Sequence, residues 1–395
     1  MQLTKEEQEM LAGKHGNAAK KSMEILVALG EIFGAERMVP VASVQVAGVS
    51  YDNLGDAGLE FLDEMAKDGM VRVLTTLNPA GMDLENWEAL GIPPEFAKKQ
   101  KLVIDAFRKM GIVTTCTCTP YLIGNLPRFG EHIAWSESSA VCFANSVLGA
   151  RTNREGGPSA IAAAIAGRTP EFGLHLDENR QAQVKVTVET ELNGETDFGA
   201  LGHVIGNKIK NKIPLIIGVK NASIEELKSL SASIATYGGT AMFHMERVTP
   251  DKTKTPGESF AVSRKDIDEA KAKMNTASPS EAADIISIGC PHASIKEIAK
   301  LAELLEGKKV KAGKEFWVCT ARPTKKIADT MGYTEKIERA GAKFACDTCM
   351  VVAPIKGRFK CIATNSAKSA YYCSGKHGFK VKMRDLDACV KEATE

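Results

Sequence analysis

Ten cysteines carry the most reactive chemistry in this sequence, and three of them share one setting. Cys118 precedes Thr119-Pro120, Cys290 precedes Pro291-His292, and Cys349 follows Asp347-Thr348, each where a predicted strand gives way to turn residues. In open α/β sheets the carboxyl ends of the strands line the ligand crevice. Thiolates from separate strand ends can converge on one metal centre, and iron–sulfur clusters are held by such thiolates. Protein ligands fewer than four leave one iron open, as a Lewis acid requires. The plainer reading of a cysteine here is a small buried hydrophobe, and Cys142, Cys319, Cys361, Cys373 and Cys389 are read that way. Cys116 and Cys346 lie close enough to Cys118 and Cys349 to compete for their role. The same residues allow a zinc site, although two full CxxC hairpins are absent, or a thiol-redox pair at 346 and 349.

The other candidates handle anions and protons. No GxGxxG occurs, and Gly307 with Gly313-Lys314 misses the P-loop spacing and lacks its Ser/Thr. Gly48-Val49-Ser50 and Asn78-Pro79 follow apolar runs and offer small residues with exposed donors; each is a turn that an anion could use. Glu137-Ser138-Ser139 and Arg151 to Gly157 place polar groups amid apolar sequence, as helix caps and solvated loops also would. His292 is read as a support beside Cys290, not as a catalyst. Lys368, in Asn365-Ser-Ala-Lys, faces either an anionic substrate or solvent.

Something must position these groups, and the periodicity says what. Asp56 to Gly69 sets Leu59, Leu62, Met65 and Ala66 on one helical face, and Val71 to Leu77 follows as a strand. Lys98 to Met110 repeats the device and leads to Ile112–Pro120, a β-branched run cut by proline. Strands are read at 213–219, 241–245, 285–289, 315–320, 344–346 and 360–364. Helices are read at 223–236 and 294–305, with helical sequence again up to Ala340. This β-α alternation predicts an α/β protein of mainly parallel sheets with crossover helices.

Composition bounds the rest. A chain of 395 residues allows about two to four packed units. Approximate lobes are expected at 1–130, 131–280 and 281–395. Hydrophobic residues at 44%, charged residues at 25% and a formal charge of +2 describe a globular protein with no reason to seek nucleic acid or an anionic membrane. No apolar run approaches the roughly 20 residues that span a bilayer. The acidic start, Met1-Gln-Leu-Thr-Lys-Glu-Glu, lacks a signal peptide's apolar core, so a cytoplasmic location is expected.

Six motifs in order make the chain resemble the aconitase X family over essentially its whole length: Cys118-Thr-Pro-Tyr, Trp135-Ser-Glu-Ser-Ser, Ala150-Arg-Thr-Asn-Arg-Glu-Gly-Gly, Gly289-Cys-Pro-His, Asp347-Thr-Cys-Met-Val-Val and Asn365-Ser-Ala-Lys. Gln45-Val-Ala-Gly-Val-Ser-Tyr and Thr76-Leu-Asn-Pro add to it. The resemblance implies a hydro-lyase on the aconitase plan, with a multi-lobed core that lacks the swivelling domain. A separate small subunit would then supply that domain and its catalytic serine. It implies an iron–sulfur cluster, 4Fe-4S with one open iron, on Cys118, Cys290 and Cys349. It places substrate contacts at Gly48, Val49, Ser50, Asn78, Pro79 and Lys368, and catalytic contacts at Glu137 and Ser138. The implied reaction is dehydration of (R)-5-phosphomevalonate, a small phosphorylated hydroxy acid, to trans-anhydromevalonate 5-phosphate in an archaeal mevalonate pathway. The alternatives are the cis-3-hydroxy-L-proline branch of the same family and a non-catalytic scaffold stabilised by zinc or thiols.

Overall fold

Strands that read as near-continuous apolar runs need cover on both faces, and helices supply it here. The computed structural model describes residues 1–395. Ser43–Val46 lies between Leu74–Leu77 and Ala134–Trp135 in a first parallel sheet. Val184–Val188 lies between Pro214–Ile217 and Ser259–Val262 in a second, with His244–Met245 beyond Pro214–Ile217. Ile285–Ile288 lies between Glu315–Thr320 and Cys361–Thr364 in a third, edged by Lys343–Cys346 and Lys380–Met383. A short antiparallel pair, Met38–Pro40 with Arg168–Pro170, stands apart from these.

In every parallel sheet the strand that comes first in the chain ends up inside. Later strands add to one flank and then to the other. Each sheet therefore has a switch point beside its first strand, where neighbouring carboxyl-end loops diverge and open a crevice.

The helices read from periodicity are present with shifted ends. Tyr51–Met65 buries Leu59, Leu62 and Met65 and starts earlier than Asp56. Pro94–Lys109 begins at a proline, whose missing N–H costs nothing in the first turn. Ile224–Gly238 and Ile295–Leu304 each start at a capping box, Ser223 with Glu226 and Ser294 with Glu297. The helical stretch before Ala340 is two helices, Arg322–Thr330 and Tyr333–Arg339.

One expected strand is absent. The run 112–120 travels beside Leu74–Leu77, with Val113 N donating to Thr75 O and Thr117 N to Leu77 O, both at 2.9 Å. Between them Cys116 takes φ 43°, which no strand sustains. Helix Gly157–Ala166 packs on helix Asn17–Ile32 and on Ser43–Val46, within the same apolar core.

A second core runs from Met82 and Trp135 through the helices of the second sheet to Val381, so the lobes share their interior. No helix is long and apolar enough to cross a membrane. The tightest helix pair, Gly194–Ile209 against Ile224–Gly238, meets at glycines. A Cβ on Gly206 would lie 2.8 Å from Gly238 N, and one on Gly202 would lie 2.6 Å from Ser233 Cβ. Gly206→Ala is expected to lower unfolding free energy by about 1–3 kcal/mol, the cost of overpacking, measured as a shift in denaturant midpoint. An unshifted midpoint would contradict the close approach.

Candidate active site

The carboxyl ends of the first and third sheets face each other, and the candidate residues gather between them. At the switch point of the first sheet, Gly48-Val49-Ser50 leaves Val46 and Glu137 leaves Trp135. At that of the third, Cys290 leaves Ile288 while Asn365 and Ser366 lead to Lys368. Asn78 follows Leu77 and Cys349 follows Cys346, so these candidates sit on loops from a strand's carboxyl end or close beyond it, whereas Cys118 lies in the irregular run 112–120 beside Leu74–Leu77.

The two sets of loops are stitched together by hydrogen bonds. Ala80 N donates to Asp347 O at 2.8 Å, and Ser50 Oγ donates to Val352 O at 3.1 Å. His292 does the most. Its Nε2 donates to Thr348 O at 2.9 Å, which leaves Nδ1 to accept from Thr117 Oγ1 at 2.9 Å. Its backbone N donates to Cys118 Sγ at 3.2 Å. Burial pushes the ring down to about 4, so it is neutral and this tautomer holds.

Cys118, Cys290 and Cys349 form a closed electrostatic triangle. Burial raises each thiol most; beyond it Glu137 and, least, Cys290 raise that of Cys118, Cys349 raises that of Cys290, and Cys118 raises that of Cys349. All three are pushed up to about 12. Each sulfur also has donors against it. These are His292 N at Cys118, the Ser366 hydroxyl at Cys290, and the amides of Val351 and Val352 at Cys349. Gly289 lets the Cys290 turn run tight on the sheet, since a Cβ there would lie 2.0 Å from Cys319 O. Cys116 and Cys346 face elsewhere, in two separate apolar cores.

Thiols that burial keeps protonated ionise outright when a metal coordinates them. N–H and O–H donors aimed at sulfur are what tunes a cluster's thiolates. No group of His, Cys, Asp or Glu converges tightly enough to hold a single metal ion. In chemical type, three thiols with N–H and O–H donors against them match the ligands of an iron–sulfur cluster.

One buried ion pair spans the crevice. Lys368 Nζ is bonded to Glu137 Oε1, and both side chains are nearly inaccessible. Burial pushes the Glu137 carboxyl up, but Lys368, the Ser139 hydroxyl and the Ala140 amide outweigh it, and Glu137 stays ionised. Burial likewise opposes the charge of Lys368, and Glu137 with Cys290 and Cys118 more than restores it. Ser138 Oγ reaches Glu137 Oε1 at 3.4 Å. Lys368 stands in the first turn of helix Ala367–His377, where the helix dipole disfavours a cation. Asn78 contributes a buried Oδ1 with no partner, an acceptor available to a ligand.

Several supporting residues escaped the sequence reading. Lys228, 2% exposed, donates to His292 O at 2.9 Å and pairs with Glu297 at 2.5 Å, pinning the Cys290 turn from the second lobe. Arg322 bonds Asp347 at 2.9 Å and Asp83 at 2.6 Å, and Asp83 also accepts from Cys346 N. That clamp holds Asp347 at φ 62° immediately before Thr348 and Cys349. Their only signal in sequence is a charge or amide set within an apolar helical stripe or strand end.

The neutral state of His292 has a measurable consequence. An unfolded histidine titrates near 6.5 and this one near 4, so between those values only the unfolded chain takes up the proton. Its contribution is full above pH 6.5 and falls, by up to about 3 kcal/mol, as pH drops toward 4. His175, pushed down to about 3 by burial, acts in the same direction. The denaturant midpoint is expected to fall over that window. His292→Gln, which keeps one donor and one acceptor but cannot titrate, should fall less steeply.

Three sequence profiles match the chain: the aconitase X first domain over residues 1–178, the second over 182–272 and the third over 283–395. The phosphomevalonate dehydratase large subunit of Methanocaldococcus jannaschii is 48% identical over 405 aligned positions, covering 99% of this chain and 100% of that one. The crystal structure of Thermococcus kodakaraensis aconitase X in its holo-form superposes with a TM-score of 0.92, at 48% identity, over the full length of both chains. The cis-3-hydroxy-L-proline dehydratase of Hypocrea jecorina is 33% identical over all of this chain but only 69% of its own length.

Proposed function

This chain belongs to the aconitase X family, and we propose that it is the large subunit of a hydro-lyase that dehydrates (R)-5-phosphomevalonate to trans-anhydromevalonate 5-phosphate for isoprenoid synthesis. The reading is carried by the buried Lys368–Glu137 pair between two sheets, whose charges act on the thiols of Cys118 and Cys290. Full-length relatives named for this reaction, at 48% identity, favour it over the hydroxyproline branch at 33%. Their name, large subunit, supports a separate small subunit as partner, the expected source of the swivelling domain and its serine base. Alone, this chain would bind and orient; with its partner it would turn over.

Cys118, Cys290 and Cys349 would hold a 4Fe-4S cluster, whose open iron supplies Lewis-acid assistance to the departing tertiary hydroxyl. The protein's own groups do the rest. Lys368 offers a charged Nζ to the substrate's anion, and Glu137 fixes where that Nζ points. Glu137 is held ionised, so it can orient the substrate hydroxyl or relay the proton exchanged on departure. Ser138 flanks it. The backbone donors of Gly48, Val49 and Ser50, with Asn78 and Pro79 beside them, suit the phosphate end. Packing around the crevice limits water, which strengthens each of these contacts.

Anaerobic purification with the small subunit tests the cofactor and the reaction together. Wild-type protein is expected to be brown and to dehydrate 5-phosphomevalonate, not cis-3-hydroxy-L-proline. A colourless, zinc-loaded protein would overturn the proposal. Cys118→Ala, Cys290→Ala and Cys349→Ala should each lose iron and visible absorbance, whereas Cys116→Ala and Cys346→Ala should keep both. Glu137→Gln, with iron content retained, is expected to lower kcat by about 100-fold or more; unchanged turnover would remove Glu137 from the chemistry.

A further inference from the structure

Helix Pro94–Lys109 buries Ala97, Gln100, Val103, Ile104, Ala106 and Phe107, and Gln100 is the one polar side chain among them. It is fully buried, at 0% exposure. A buried amide is costly unless its hydrogen bonds are made, and the way Gln100 makes them is informative. Its Oε1 accepts from Tyr51 N and from Gly81 N, both at 3.0 Å. Its Nε2 donates to Val49 O at 2.9 Å. All three partners are backbone groups, and they belong to the two loops that carry Gly48-Val49-Ser50 and Asn78-Pro79.

Tyr51 opens helix Tyr51–Met65, and Ser50 stands at its N-cap position without making the usual side-chain cap. A capping serine normally spends its hydroxyl on the helix's own first-turn amides. Here Gln100 takes up the Tyr51 amide from another helix, and Ser50 Oγ turns instead to Val352 O beside the Cys349 turn. The second loop is pressed against the first. A Cβ on Gly81 would lie 2.5 Å from Ser50 Oγ and 2.5 Å from the Phe96 ring.

We propose that Gln100 is a positioning residue for the anionic end of the substrate: by capping helix Tyr51–Met65 from outside and tying Val49 to Gly81, it sets the spacing of the two donor loops and leaves the Ser50 hydroxyl to bond Val352 O beside the Cys349 turn. This rests on the substrate assignment made above. Gln100 touches no substrate itself. Its amide must be both donor and acceptor. A glutamate here would keep the two accepted bonds but set a carboxylate oxygen against Val49 O.

The test compares Gln100→Glu and Gln100→Met with wild type as the holoenzyme with its small subunit, scored by iron per chain, kcat, KM and amide exchange. Gln100→Glu is expected to raise KM for 5-phosphomevalonate about tenfold or more while kcat and iron content stay within about twofold, the mark of lost binding that is uniform between ground and transition states. The KM ratio of Gln100→Glu to wild type should shrink as pH falls and the introduced carboxyl regains a proton to donate, whereas that of Gln100→Met should stay constant. Amide exchange at Tyr51 and Gly81 should quicken in Gln100→Met while helix Pro94–Lys109 stays protected. A KM within twofold of wild type in both variants would overturn the proposal, as would kcat and iron content falling together, which marks a purely structural residue. If wild type fails to turn over 5-phosphomevalonate, the substrate assignment fails on its own. Unchanged exchange at Tyr51 and Gly81 would then still overturn the placement of Gln100, and quickened exchange would support it.

Discussion

Loops leaving two different sheets have no backbone ladder between them, so their meeting depends on side chains that can bond to several loops at once. His292 is central to that meeting. One neutral ring and one amide connect the segment before Cys118, the sulfur of Cys118, and the carbonyl before Cys349, while the chain itself carries Cys290. Because the ring is neutral and both nitrogens are used, it fixes direction as well as distance. Lys228 and Glu297 hold its own backbone from behind, and Arg322 with Asp83 does the same for the Asp347 turn. The crevice thus rests on supports that are mostly buried and hydrogen-bonded to one another.

That support lets the site keep an arrangement that would otherwise relax. A lysine in the first turn of a helix, beside a carboxylate that also caps a helix, and both out of water, is unfavourable at each position taken singly. Together they offset each other: the carboxylate accepts from Lys368, Ser139 and Ala140, and the ammonium is held by that carboxylate near the thiols. Burying an ion pair is poor economy for stability and good economy for aiming charge at one point. The raised thiols state the same condition from the other side, since in their present surroundings only a cation would ionise them.

Much of this was legible in the chain. The helices at 223–236 and 294–305, the apolar stripe of 56–69 and the strand 315–320 follow from local rules, and the structure keeps them, the helices with shifted ends. The run 112–120 misled because β-branched residues specify an extended backbone but not its pairing, and the left-handed turn at Cys116 serves the loop, not a sheet. Gln100, Lys228 and Asp83 were invisible for a related reason. A polar residue in an apolar stripe declares that it needs partners, but those partners, backbone groups and the side chains of Glu297 and Arg322, lie up to 263 residues away in sequence and have no sequence signature.

Periodicity, capping residues and turn chemistry are contacts between near neighbours, so the sequence alone determined most of the helices and strands and that Cys290 and Cys349 lie just beyond strands, but not the irregular run that carries Cys118. Strand order is a choice among long-range pairings that local rules leave open. Only the folded chain decided that each sheet grows outward from its first strand, and so that Gly48, Glu137, Cys290 and Lys368 share one crevice. The same holds for the surroundings of Cys116 and Cys346: residues two or three apart differ in the side they face, and packing against distant elements turns these two into apolar cores.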